Sequence, residues 1–167
     1  MTLDIRPESP ADLVAIRDLN HDAFSRADEG QLVDRLRSNG GALLSLVAVL
    51  GDRLVGHILF SPVRIGSVEG AGLGPMAVLP DLQRHGIGGK LVVEGLARLT
   101  EQRCAFVVVL GHPRYYPRFG FVPASGHGVT CAWEVPDAAF MLLALDPARC
   151  MELSGVAEYR AEFSEGA

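Results

Sequence analysis

Met76-Ala77-Val78-Leu79-Pro80-Asp81-Leu82-Gln83-Arg84-His85-Gly86-Ile87-Gly88-Gly89-Lys90 joins an apolar run to a segment of helical spacing. An apolar run from Leu73 to Leu79 ends at Pro80, which marks the end of a strand. Past the glycines, Ile87, Leu91, Gly95/Leu96 and Leu99 recur at helical spacing, so a helix is expected over about Gly88–Gln102. The segment between is a polar, glycine-rich bend. Its glycines allow a tight turn and let an oxyanion approach backbone N–H groups. The helix that follows adds its unpaired N–H donors and the positive end of its dipole, and Arg84 and Lys90 add two cations. A phosphate or pyrophosphate suits that geometry, although the same glycines would also serve a bare strand-to-helix turn.

Two common phosphate loops are excluded by single residues. A Walker A loop requires a hydroxyl residue after Gly-Lys to hold magnesium, and Leu91 follows Gly89-Lys90 here. A dinucleotide fingerprint requires a third glycine, and the position it would occupy after Gly86-Ile87-Gly88 is again Leu91.

Working outward, Leu3–Arg6 alternates apolar and polar residues as a short strand does. Ser9 or Pro10 opens a helix through Leu13, Ile16 and Leu19, and a second helix from about Glu29 carries Leu32, Val33 and Leu36 on one face. Leu44–Leu50 and Leu54–Ile65, joined at Gly51-Asp52-Arg53, read as a hairpin. Gly66–Gly72 reads as a turn into Leu73–Leu79. Ala105–Leu110 is a continuous apolar run, as in a central strand covered on both faces. A short helix over Arg114–Phe119 and strands near Phe121 and over Phe140–Leu145 complete the order β-α-α-β-β-β-α-β-α-β-β. The expected class is α/β, an α+β sandwich with a mixed sheet.

The 167 residues fit one domain spanning 1–167, and 49% apolar content is enough for a full core. The net charge of −5 does not suit a phosphate backbone, so nucleic acid is not an expected partner. No apolar run approaches the ~18 residues of a membrane span, and MTLDIRPESP lacks the pattern of a signal peptide. The chain therefore reads as a soluble cytoplasmic protein without a membrane partner. Cys104, Cys131 and Cys150 form neither a metal spacing nor a disulfide framework, and no metal is expected. Cys104, at the head of an apolar run, reads as a small buried hydrophobe.

Gln83-Arg84-His85-Gly86-Ile87-Gly88 resembles the [QR]xxGx[GA] pyrophosphate loop of the GNAT superfamily of acyl-CoA-dependent N-acyltransferases. There the loop follows a strand with a V-x-P ending, matched here by Val78-Leu79-Pro80. Tyr115-Tyr116-Pro117-Arg118-Phe119-Gly120-Phe121 resembles that family's aromatic-Tyr-x-[KR]-x-G-[FY] signature, with one strand between the two motifs. The resemblance covers nearly the whole chain and is nearest to a bacterial subgroup with GxPxYYxRFGF after the central strand. It implies a twisted, mostly antiparallel mixed sheet flanked by helices, and acetyl transfer from acetyl-CoA to a primary amine by direct attack in a ternary complex. The acceptor would be a small molecule or a peptide. Dimers are common in this family, so a homodimer is an expectation too. A non-catalytic acyl-CoA-binding sensor or partner domain of the same fold is the alternative.

By this resemblance, Gln83, Arg84, His85, Gly86, Ile87, Gly88, Gly89 and Lys90 hold the pyrophosphate of coenzyme A, mainly through main-chain groups. Met76, Ala77 and Val78 run beside the pantetheine arm as an added strand would. A bulge near Gly72 or Gly74, with Pro75 unable to donate to a ladder, would open the sheet for the thioester. Tyr116 would protonate the leaving thiolate. A thiol ionises near pH 8.5 and a phenol near 10, so the transfer is feasible once the two are in contact. Arg118 reads as a surface or adenosine-side cation. An alkylamine is only ~0.1% neutral at physiological pH, a handicap of roughly 4 kcal/mol that a base would relieve. Many relatives carry a glutamate on the strand before the loop, where this chain has Leu73, Gly74 and Pro75. Glu29 is the first substitute and His112 the second. His57 reads as structural.

Overall fold

The computed structural model of the chain describes residues 2–24 and 27–163, and in residues 22–24 and 27–31 the main chain alone. Strand β1 (Leu3–Pro7) is followed by helices α1 (Leu13–Phe24) and α2 (Ala27–Ser38). Strands β2 (Leu44–Leu50), β3 (Arg53–Ile65) and β4 (Val68–Val78) form a meander. Helix α3 (Ile87–Glu101) leads to β5 (Phe106–Leu110), and short strands β6 (Val122–Pro123), β7 (Val129–Thr130), β8 (Phe140–Ala144) and β9 (Gly155–Glu158) follow. The sheet order is β1-β2-β3-β4-β5-β8-β6, with β9 pairing β3 and β7. Neighbours along that path are antiparallel except β4 and β5. The resulting mixed, mostly antiparallel sheet flanked by helices is the architecture expected from the sequence.

The periodicities place the layers. Helix α3 buries Ile87, Leu91, Val92, Leu96 and Leu99 on one face of the sheet, against Leu46, Ile58, Phe60, Val107 and Val109. On the other face Ile16, Val33 and Leu36 of α1 and α2 cover Val47 and Leu59. The rest of that face is closed by Val129, Leu153 and Ala157 over Phe106, Val108 and Leu142. Phe106–Val109 is buried throughout, as a strand with covers on both faces must be. Among the described residues no helix is long and apolar enough to cross a membrane.

Three details differ from the expectation. Strand β4 begins at Val68, so the turn is only Gly66-Ser67. Gly70 and Gly72 lie within the strand, where an added Cβ would press on Phe106 and on Tyr159 respectively; those glycines mark close packing instead of a turn. The segment expected as a short helix over Arg114–Phe119 is a single 3-10 turn, Tyr116–Phe119. Strands β7 and β9 were not expected, being two and four residues long.

Candidate active site

The site is built where β4 leaves β5. The two strands pair in parallel only from Ala71↔Val107 to Leu73↔Val109. Against β3, the register of β4 slips between the pairs Phe60↔Leu73 and Ile58↔Met76, which places an extra residue at Gly74-Pro75. Gly74 has φ +130, a conformation that side chains resist, so glycine is required at this bulge. The expectation at Gly74 and Pro75 holds; Gly72 stays in register with Ser61.

Beyond the bulge, β4 offers an unpaired edge. The Leu79 N–H donates to the Val55 carbonyl of β3 at 3.0 Å. Main-chain groups alternate sides along a strand, so those of Val78 and Met76 point away from β3, into the gap. The Gln83 side chain bridges to that edge, its Nε2 donating to the Val78 carbonyl at 3.0 Å. The sequence motif gave no hint of this brace, because it concerns the glutamine side chain and not the loop backbone.

After a 3-10 turn at Pro80–Leu82, the chain reverses through Arg84, at φ +68, and Gly86, at φ +85. Gly86 is the N-cap of α3, and among the described residues no side chain caps the helix. The first intrahelical bond runs from the Lys90 N–H to the Gly86 carbonyl at 3.1 Å. The N–H groups of Ile87, Gly88 and Gly89 thus open into a cavity of about 540 Å³. Met76, Val78, Gln83, Arg84, Gly86 and Tyr115 are among its walls. His85 is exposed and Lys90 lines an adjoining hollow. Ala77 is buried in the sheet, and by the same alternation its main-chain groups face His57 of β3, away from the gap.

The two tyrosines after β5 part company. Their rings meet edge to face with centroids 5.0 Å apart. Tyr116 turns inward, 8% exposed, against Phe121 and over Gly111, where a Cβ would collide with its ring. Burial, with a smaller push from Tyr115, raises its phenol to about 12, so it carries its proton at any working pH. Tyr115 instead faces the loop cavity.

The remaining candidates disperse. Glu29 belongs to the first turn of α2, but its side chain lies outside the described residues. His112 is exposed, and its Nδ1 accepts the Arg114 N–H at 3.2 Å. His57 is fully buried on β3, opposite Ala77. Its Nε2 lies 2.9 Å from Ser45 Oγ and its Nδ1 3.3 Å from Asn20 Nδ2. Burial holds it down to about 4, so it is a neutral member of a packed polar network. Cys104 is half-buried with Sγ 3.3 Å from the Phe106 carbonyl, and burial raises its thiol further from ionisation. Among the described residues, no group of three His, Cys, Asp or Glu side chains could hold a metal ion.

The comparisons agree with this architecture. The model of the acetyltransferase (GNAT) family matches residues 13–121. The chain is 35% identical over 163 residues to an uncharacterised N-acetyltransferase, YhbS of Escherichia coli, covering 96% of this chain and 98% of that protein. Its identity to another, YjhQ of the same organism, is 36% over 155 residues, covering 87% and 85%. The crystal structure of YhbS in complex with coenzyme A matches with a TM-score of 0.94 at 34% identity, covering 99% of this chain and 93% of that one. A GNAT family acetyltransferase from Brucella melitensis in complex with acetyl-CoA matches at 0.81 and 39% identity, covering 97% and 98%. With its splayed fourth strand, uncapped glycine loop and matching family model, this chain belongs to the GNAT family of acetyltransferases.

Proposed function

We propose that the protein transfers the acetyl group of acetyl-CoA to a primary amine, of a small molecule or a peptide, by direct attack in a ternary complex. One observation carries the reading: the uncapped N-terminus of α3 and the unpaired edge of β4 face one cavity. That arrangement suits a ligand with an anionic diphosphate at one end and an amide-bearing arm at the other. The crystallised relatives with coenzyme A and acetyl-CoA support it.

The diphosphate sits on the N–H groups between Arg84 and Gly89, and the pantetheine arm hydrogen-bonds along Met76 and Val78. The neutral amine attacks the thioester carbon, and the carbonyl electrons move onto oxygen, where a main-chain N–H near Val78 stabilises the charge. The C–S bond then breaks, the Tyr116 phenol gives its proton to the thiolate, and the amide nitrogen loses one to a base. Glu29, His112 or solvent receives that proton, and Tyr116 is reprotonated from solvent. Coenzyme A and the N-acetyl product leave.

The second reading, a domain that binds acyl-CoA without turnover, draws on Leu73-Gly74-Pro75, where no carboxylate stands at the bulge. A thiol-release assay with acetyl-CoA and a panel of amines tests the proposal. Amine-dependent release above background is the expected result. Tight binding of acetyl-CoA with no release for any amine favours the binding domain, and no binding at all removes both.

A further inference from the structure

Tyr115 and Arg118 are arranged more tightly than a surface turn requires. The Arg118 guanidinium lies 4.5 Å above the centre of the Tyr115 ring, and its Nε donates to the Tyr115 carbonyl at 2.9 Å. Both contacts fix the same side chain and leave the two terminal nitrogens without a protein partner among the described residues. Phe119 supports the Tyr115 ring from one side at 5.4 Å between centroids. The Tyr115 hydroxyl reaches the loop: it lies 3.4 Å from where a Cβ on Gly88 would stand and 3.7 Å from one on Gly89. Tyr115 and Arg118 both line the cavity into which the uncapped helix opens.

We propose that Tyr115 and Arg118 form a second phosphate-recognising wall, facing the backbone donors of the loop. The Tyr115 hydroxyl donates to a phosphate oxygen beside Gly88, and the guanidinium pairs with phosphate oxygens through its two free nitrogens. The inference rests on the reading of this cavity as the acyl-CoA site and adds the side chains that select the nucleotide end. An arginine held by stacking and by a main-chain bond loses little further freedom when an anion arrives, and its planar fork suits phosphate. A lysine lacks the planar fork. Coenzyme A presents two phosphate sources, the diphosphate bridge and the phosphomonoester on its ribose. Both offer the oxygens this wall recognises.

Calorimetric titration of coenzyme A and of dephospho-coenzyme A, which lacks the monoester, into wild type, Tyr115→Phe, Arg118→Gln and Arg118→Lys tests the wall. Thermal melts show that each variant is folded. Arg118→Gln should weaken coenzyme A binding about tenfold at low salt, as the loss of a charge-assisted pair does, and by less as salt rises. Arg118→Lys should recover only part of that affinity. Tyr115→Phe keeps the ring under the guanidinium, so a loss of about threefold or more reports the hydroxyl alone. An Arg118 effect that vanishes with dephospho-coenzyme A assigns the guanidinium to the monoester, and one that persists assigns it to the diphosphate. Folded Tyr115→Phe and Arg118→Gln that bind as tightly as wild type, while Gly88→Glu does not, overturn the wall and leave the cavity's reading standing. Wild type that binds no coenzyme A overturns both.

Discussion

The two ends of β4 each adjoin a cavity of similar size, and they differ in what their charged groups are doing. At the end where β4 has left β5, about 540 Å³ opens between the loop and Tyr115. At the paired end, about 580 Å³ is lined by Arg64, Arg103, Arg149 and Arg160 among others, and looks the more cationic. Yet there Arg64 pairs with Glu158 at 3.0 Å and Arg160 with Glu162 at 2.9 Å. Arg149 donates to the Arg103 carbonyl at 2.6 Å. Among the described residues, the open end presents helix N–H groups without a cap and an Arg118 fork without a carboxylate. What distinguishes the open end is helix N–H donors beside a strand edge that β5 has left. Volume and the number of arginines do not.

The largest expected effect breaks the open end directly. The atoms nearest to a Cβ on Gly88 are Tyr115 Oη at 3.4 Å and Met76 at 3.6 Å, ends of flexible side chains, so the backbone tolerates a side chain. Gly88→Glu then extends a carboxylate into the space beside the helix N–H groups. Acetyl-CoA affinity should fall more than tenfold by calorimetry while the melting curve is retained. Unchanged affinity in the folded variant would remove the phosphate reading of the loop.

Next comes Tyr116→Phe, which deletes one oxygen from a buried ring and leaves its packing on Phe121 intact. General acid catalysis is worth about 10²–10⁴-fold, and a loss confined to the transition state lowers turnover without affecting binding. A fall in kcat of at least tenfold with acetyl-CoA affinity preserved is expected. The phenol's pKa of about 12 lies well above neutrality, so wild-type activity should show no loss from phenol ionisation up to about pH 10. Equal turnover of variant and wild type, with chemistry shown to be rate-limiting, would end the assignment of Tyr116 as the acid.

A smaller effect is expected from the base. Glu29→Gln should lower the rate below the amine pKa and matter less as pH rises, since more amine is then already neutral. His112→Ala serves as the parallel arm. If neither changes the pH profile, solvent alone removes the proton.

Much of this was legible in the chain. The loop glycines, Pro80 and the spacing of Ile87, Leu91 and Leu99 fixed a strand, a bend and a helix, because local periodicity and backbone freedom specify such units without distant partners. The bulge was expected from the family resemblance, near Gly72 or Gly74, and it falls at Gly74-Pro75. The direction of two neighbouring side chains was not legible. Tyr115 and Tyr116 are equally aromatic, and only the collapse of Tyr116 onto Gly111 and Phe121 decides which faces the loop. The start of β4 was misplaced because Gly70 and Gly72 look like a turn until Phe106 and Tyr159, distant in sequence, occupy the space of their missing side chains. Strand β9 pairs with β3 only at Arg64 and Ile65, a non-local contact too short to leave a pattern.

The smallest prediction concerns the far end and is a prediction of near silence. Arg64→Gln removes one partner of the Arg64–Glu158 pair, whose side chains are 61% and 57% exposed. Exposed pairs contribute about 0–1 kcal/mol, and Glu158 left alone remains hydrated, so the melting temperature should barely move. If the paired end is closed to the cofactor, as the pairing of Arg64 and Arg160 with carboxylates implies, acetyl-CoA affinity and kcat should both stay within about twofold of wild type, the range of a surface change remote from the site. Arg64 lies beside the pairing of β3 with β9, so a distortion there would appear first as lost stability. A loss of affinity without loss of stability would instead mean that the arginine-lined cavity takes part in holding the ligand. The contrast between the two ends of β4 would then be one of degree.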